Sequence, residues 1–376
     1  MAVGGFELIT AQRQLHEKLA HFAGGATIAL DTEASSFHRY RESVCLIQLS
    51  DRAKTLLVDP LSIKDLSPLR QLLAEKKMEV VIHDADYDLR ILARHHQIRV
   101  ENVFDTLVAA ELVNEPEIGL APLLSRYFGI TVDKKFQKAD WSQRPLPEAM
   151  LSYAAGDTSH LIELRDMLAA KLKEKGRWEW AQEEFELLTD APFNLVESDE
   201  PAYLRMKGAK TLKPQQLAIL RELHPWREAI AEQQDRAPFM ILGNDVMLSL
   251  SIDPPKDLAE LARRKGISER LFDRYGRDIM PLIEKARSLP KDQWPKVERP
   301  KRWSRDPDHD ERLKRLKQVR DKLTRENDLR PGIVAANQLL SEIARTMPGD
   351  IEALAALPGI RRYQVRNFGE ALLKAI

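Results

Sequence analysis

An internal repeat constrains this chain more than any other feature. Shifted by 93 residues, the C-terminal half lies on itself without a gap: Pro238 falls on Pro331, Asn244 on Asn337, Pro255 on Pro348 and Leu261 on Leu354. Gly266-Ile267 meets Gly359-Ile360, Tyr275-Gly276 meets Phe368-Gly369, and Ile283 meets Ile376. Upstream, Leu220, Leu223 and Arg227 meet Leu313, Leu316 and Arg320. Chance does not hold glycines, prolines and apolar positions in one register. Two copies at so long a period exclude a solenoid, which stacks more and shorter units. No segment from Thr211 onward reads as a strand. The expectation is two small all-helical domains in tandem, each near the lower size at which a core stands alone.

The preceding residues follow another rule. Short runs rich in β-branched and aliphatic residues, at 27–30, 44–49, 55–58 and 80–83, predict strands. The first three leave no room for helices between them and should form an antiparallel meander. Residues 65–76 and 86–95 have helical spacing, 102–105 is a further short strand, and helical stretches dominate 106–175. Such an order predicts an α/β sheet with at least one antiparallel strand, flanked by helices.

Charge separates the two halves. The whole chain balances 58 Lys+Arg against 58 Asp+Glu, yet from Pro201 onward there are 35 basic and 25 acidic residues, and before it 23 and 33. A basic half joined to an acidic half fits a polyanion held by one part and worked on by the other, although two differently solvated surfaces would read the same way. The single cysteine, Cys45, excludes a disulfide scaffold and a cysteine-based zinc site, and fits a reducing compartment. No apolar run approaches the roughly 18–20 residues of a membrane span. Residues 1–10 lack the basic-then-apolar pattern of a secretory signal, so a cytoplasmic protein is expected.

Two linkers are expected. Residues 190–201 are polar and carry proline, and 288–310 carry Pro290, Pro295, Pro300 and Pro307. The second also mixes Lys291, Lys296, Arg299, Lys301, Arg302 and Arg305 with Trp294 and Trp303. Such a mixture can line a single strand of nucleic acid. Tryptophans that merely anchor a linker to its neighbours are the commoner case.

The chemistry starts at Ile28-Ala29-Leu30-Asp31-Thr32-Glu33, where an apolar strand ends in carboxylates at i and i+2 on one face. Two such charges repel by roughly 4 kcal/mol at 4 Å and intermediate dielectric. A divalent cation or a shared proton resolves that. Alone, the pattern is often a solvated strand end. His83-Asp84-Ala85-Asp86-Tyr87-Asp88 then opens a helix, with Asp84 placed as its N-cap and Asp88 one turn further in, beside Leu89. Tyr153 and Asp157 follow at i and i+4 on one helix face.

This ordered set, Asp31-x-Glu33, Asp88 and Tyr153-x-x-x-Asp157, resembles the three motifs of the DEDDy 3′→5′ exonucleases, on a ribonuclease H-like fold. More narrowly it resembles the ribonuclease D family. Supporting stretches are Cys45-Leu46-Ile47-Gln48-Leu49 and Asp140-Trp141-Ser142-Gln143-Arg144-Pro145-Leu146. The repeat, with Leu217 to Trp226-Arg227-Glu228, is similar to the two HRDC domains that follow the nuclease in that family. The implied division is an exonuclease domain over 1–195, an HRDC-like domain over 208–289, a basic linker over 290–308 and a second HRDC-like domain over 309–376. Ala34 departs from the family, which usually has an aromatic residue there; Phe37 is expected to fill that space.

The resemblance implies hydrolysis of phosphodiester bonds from RNA 3′ ends, releasing nucleoside 5′-monophosphates, with tRNA precursors as substrate and no obligate protein partner. It also implies two divalent ions, Mg²⁺ or Mn²⁺, roughly 3.5–4 Å apart. Asp31 would bridge them, Glu33 and Asp157 complete one site, and Asp88 support the other through water. Tyr153 would orient the attacking water, and His83 and Lys134 are taken as structural. Two alternatives stay open: a 3′→5′ DNA exonuclease, since such a site does not distinguish sugars, and a non-catalytic nucleic-acid adaptor, against which the intact acidic set speaks. A helicase is excluded, because Gly208-Ala209-Lys210-Thr211 lacks the adjacent Gly-Lys of a phosphate-cradling loop.

Overall fold

Six strands, β1 (Phe6–Ile9), β2 (Thr27–Ala34), β3 (Val44–Ser50), β4 (Thr55–Val58), β5 (Glu79–Ile82) and β6 (Val103–Asp105), form one sheet in the order β1-β4-β3-β2-β5-β6. They belong to a computed structural model that describes residues 5–23, 26–132, 134–190, 199–297 and 308–376. β2, β3 and β4 are the antiparallel meander expected from their close spacing. β5 and β6 extend the sheet in parallel from β2, and β1 lies parallel to β4 at the far edge. β1 escaped the sequence reading: four residues, one of them Glu7, carry too weak a pattern. Helices dominate 106–175 as expected, but the described residues of 129–147 form none.

Alternation along β2 sends side chains to two separate cores. Ile28 and Leu30 pack, with Ile47, Leu49 and Val80, against α1 (Gln12–Phe22), α2 (Ser67–Leu73) and α3 (Ala85–His96). On the opposite face lie α4 (Thr106–Leu112), α5 (Leu120–Phe128), α6 (Glu148–Thr158), α7 (Leu161–Glu174) and α8 (Trp178–Asp190). There Ala29 and Val81 meet α4 and α7, while Leu46 and Leu57 meet Met150 and Ala154 of α6. The sheet is therefore covered on both faces, and β2 runs through its middle.

The C-terminal residues build the same helical unit twice. The first copy has α10 (Pro214–Gln233), α11 (Pro238–Ile241), α12 (Asn244–Ile252), α13 (Leu258–Ala262) and α14 (Glu269–Ser288), preceded by the short α9 (Ala202–Arg205). The second has α15 (His309–Glu326), α16 (Pro331–Val334), α17 (Asn337–Thr346), α18 (Ile351–Ala355) and α19 (Arg362–Leu373). Matching residues do matching work. Arg227 Nη1 donates to Asn244 Oδ1 at 2.6 Å, and Arg320 Nη1 to Asn337 Oδ1 at 2.7 Å. Asp257 and Asp350 cap α13 and α18. Gly266 and Gly359 sit at φ +89° and +81°, where a side chain is strained. Among the described residues no helix is long and apolar enough to cross a membrane.

Compactness divides the chain differently from sequence order. One unit holds the sheet with the second helical copy; the other holds the first copy with the loop Ser35–Ser43. In the latter, Arg41 pairs with Glu232 at 2.8 Å, Tyr40 N donates to Asp235 at 3.3 Å, and the Tyr40 ring packs on the helical core. Trp294 also packs there, its Nε1 donating to Leu289 O at 3.0 Å, so it anchors the linker. Arg299, Lys301, Arg302, Trp303 and Arg305 lie outside the described residues.

In the other unit, the second copy docks on α8. Trp180 stacks on Tyr363 with centroids 4.9 Å apart. Arg361 donates to Glu184 at 2.9 Å, and Arg362 N to Glu183 at 2.6 Å. Partly buried charged hydrogen bonds contribute about 1.5–3 kcal/mol and an aromatic pair about 0.5–1.5. The double variant R361A/Y363A should therefore speed amide hydrogen exchange in α8 and α19 by roughly tenfold or more, leaving sheet protection unchanged. Unaltered exchange in α19, read by mass spectrometry, would rule out this docking.

Candidate active site

The site lies where β2 and β5 end, in a cleft of about 480 Å³. Asp31 and Glu33 project from the end of β2, opposite Gln48 and Leu46 of β3. Asp88 arrives from α3 on one face of the sheet, and Tyr153 and Asp157 from α6 on the other. All five sequence-predicted residues therefore line one cleft. Carboxylate oxygens of Asp31, Glu33 and Asp157, one from each, lie within 4.8 Å of one another. Asp88, only 6% exposed, accepts a hydrogen bond from the Thr32 hydroxyl.

Local structure fixes each of these positions. Asp84 does not cap α3 with its side chain; it is left-handed at φ 63°, and Asp105 takes the capping role instead. Asp105, itself buried at the end of β6, accepts from the backbone N–H of Ala85 at 2.9 Å and Leu107 at 2.7 Å, and at longer range from Asp84 and Val108. A single carboxylate thus starts both α3 and α4. On the other face, the Arg144 guanidinium grips Asp59 through two bonds of 2.7 and 2.8 Å and donates to Cys45 O and Trp141 O. This ties the Asp140–Leu146 motif to the sheet and places α6 after it. Trp141 and Phe136 then pack on the Tyr153 ring, 6.2 and 5.8 Å between centroids.

The electrostatics are those of an overcharged pocket. Burial, followed by repulsion from Asp157, holds the Asp31 carboxyl well above its ordinary range. Glu33 is pushed up to about 10, by burial and then by Asp31, and burial lifts Asp157 to about 7. Asp88 is raised for the same reasons. No ion pair offsets these four carboxylates among the described residues. Burial and Asp157 also raise the Tyr153 phenol, which donates to Asp157 and stays protonated at neutral pH. The Nδ1 of His83 lies 2.9 Å from Thr106 Oγ1, and burial lowers the ring to about 4, so it is neutral. Both His83 and Lys134 nevertheless line the cleft. Phe37 is 46% exposed. Thr32 escaped the sequence reading, because a hydroxyl between two acids gives no hint that it will hold a third.

Comparison with known proteins then decides the family. Residues 6–173 match the 3′-5′ exonuclease model, and residues 216–283 and 309–376 each match the HRDC domain. Ribonuclease D of Haemophilus influenzae is 31% identical over 344 residues, covering 90% of this chain and 85% of that one. Ribonuclease D of a Shewanella species is 32% identical over 282 residues, covering 75% and 72%. The chain belongs to the ribonuclease D family. Its fold also matches the crystal structure of Escherichia coli RNase D, described as an exoribonuclease involved in structured RNA processing, with TM-score 0.72, 25% identity and 99% and 98% coverage. This family member is a hydrolytic 3′→5′ exoribonuclease, and the exonuclease fold depends on a divalent cation. The donor set fits one: converging carboxylate oxygens suit a hard cation, and their unrelieved charge calls for it.

Without a cation, the native protein holds a proton on Glu33 between its ordinary 4.5 and about 10, which the unfolded chain has already released. The metal-free protein must then lose stability as pH rises through that window. Glu33→Gln should flatten this dependence and raise the melting temperature in EDTA at pH 8 by several degrees. Mn²⁺ should raise the wild-type melting temperature more than that of the variant. Thermal scans in EDTA and in Mn²⁺ measure both, and a variant less stable than wild type in EDTA contradicts the electrostatic account.

Proposed function

We propose that Asp31, Glu33, Asp88 and Asp157 hold two divalent ions, Mg²⁺ or Mn²⁺, that Tyr153 positions the attacking water, and that tRNA precursors are the substrate in the cytoplasm. The reading is supported by one observation above all: acids from β2, α3 and α6 converge on a single cleft, and among the described residues none of them is in an ion pair. Such ions, when bound, would offset the charge of the phosphodiester and lower the pKa of a water, so that hydroxide is available as nucleophile. The protein's own groups do the rest. Asp31 and Glu33 offer oxygens from a stretch of strand held by its ladder to β3, so the cradle costs little to organise. Tyr153, protonated and held by Asp157, donates and accepts at a fixed point of the cleft wall. His83, neutral, adds a hydrogen-bonding edge without adding charge.

The same proposal divides the chain into an exonuclease domain over 1–195, helical domains over 208–289 and 309–376, and a basic linker over 290–308. The basic C-terminal half would grip RNA through phosphates, so binding should weaken steeply with salt. RNA rather than DNA is favoured by the family, and recognition of structured RNA would draw on backbone and 2′-hydroxyl contacts.

The test is digestion of RNA and DNA oligomers labelled at either end. Label at the 3′ end should appear at once as mononucleotide, label at the 5′ end in a shortening ladder, and EDTA should stop both. Asp31→Asn should retain RNA binding while activity falls by orders of magnitude, and Tyr153→Phe should lose roughly 10²-fold or more in kcat. Near-wild-type turnover in Asp31→Asn would falsify the assignment. Equal digestion of DNA would favour the DNA-exonuclease alternative.

A further inference from the structure

Gln48 sits in the centre of β3, 0% exposed, and neither Nε2 nor Oε1 of its carboxamide has a hydrogen-bond partner. A fully buried primary amide left in this state is expensive, so such groups are rare and call for an explanation. Its surroundings are defined by register. Gln48 pairs directly with Asp31 on one side and with Leu57 on the other. Cross-strand partners point to the same face with Cβ atoms about 4.5–5.5 Å apart, so the amide shares a face with the carboxylate of Asp31. That face is covered by α6, whose Met150, Ala154 and Ala155 are apolar, beside Leu46 and Leu57. Two residues along β3, Ser50 on the same face already has its partners, bonded to Thr55 at 2.8 Å and to Thr158, the neighbour of Asp157, at 2.6 Å. The carboxylate that register places beside the amide is that of Asp31, and Trp141 Nε1 in the same apolar cluster is likewise without a partner.

We propose that Gln48 is a positioning residue for that cluster: its N–H groups donate to Asp31 when a cation is bound, fixing the carboxylate in the orientation that the ion requires. Gln48 does not line the cleft and acts through Asp31. A neutral donor suits this place, because it steadies a carboxylate without competing for it as a lysine or arginine would. Hydrogen bonds of this kind to a ligating carboxylate typically alter metal affinity by about 10–100-fold. The inference rests on the assignment of Asp31 as a metal ligand.

Isothermal titration of full-length protein with Mn²⁺ tests it, alongside thermal melts and RNA kinetics. In Gln48→Leu the metal-free protein should melt at or above the wild-type temperature, since a buried orphan amide has gone. Its Mn²⁺ dissociation constant should rise about 10–100-fold. At limiting Mn²⁺ kcat should fall with KM for RNA unchanged, and excess Mn²⁺ should restore it. Wild-type Mn²⁺ affinity in a folded Gln48→Leu protein overturns the proposal; if that variant fails to fold, Gln48→Met is read by the same criteria. Asp31→Asn separates the two levels. If it loses Mn²⁺ binding while Gln48→Leu does not, only the role of Gln48 is wrong, whereas unchanged binding in both sinks the metal site itself.

Discussion

Four acids confined to one cleft oppose each other's ionisation, and the elements that carry them are anchored against that repulsion. Burial opposes ionisation of all four acids, and repulsion from their neighbours adds to it at Asp31, Glu33 and Asp88. Left to itself such a cluster would splay apart. It is held because its members come from three separately anchored elements. β2 is locked between β3 and β5, α3 begins on the Asp105 carboxylate, and α6 follows a segment clamped by Arg144 to Asp59. The protein spends local stability here and recovers it elsewhere, in the two apolar cores on either side of the sheet.

The tandem repeat supplies its own control for the helical part. Positions that build the fold are the same in both copies: the Arg–Asn bond, the Asp cap and the left-handed glycine. Positions on the surface are not. Arg361, Arg362 and Arg366 of the second copy correspond to Ser268, Glu269 and Asp273 of the first. The three arginines meet Glu184, Glu183 and Glu179 of α8. Part of the basic surplus that the composition suggested for nucleic acid is therefore spent on the protein's own acidic helix. Total charge overstated what is left to face an RNA.

Much of the architecture was legible from residue patterns. Strands 44–50 and 55–58 are apolar at nearly every position because they lie at the centre of a sheet covered on both faces, and this gives them away. The i, i+2 spacing of Asp31 and Glu33 and the i, i+4 spacing of Tyr153 and Asp157 were sound guides, since both follow from backbone periodicity. Asp84 misled for an understandable reason. An aspartate before a helix usually caps it, but Asp105 already occupies the N–H groups from a strand about twenty residues away. Thr32 and Gln48 gave no signal, because their importance depends on which residues face them across strand and helix.

The sequence by itself determined the mixed α/β domain, the two helical copies and five candidate residues that meet in one cleft, because these rest on local periodicity and on an ordered set of motifs. Tertiary structure alone decided three things: that Asp88 and Asp157 approach from opposite faces of the sheet, that the Ser35–Ser43 loop goes with the first helical copy, and that the second copy docks on α8. Each of these is a meeting of residues far apart in the chain. Their energy comes from desolvation and charge at the point of contact, which no short window of sequence contains.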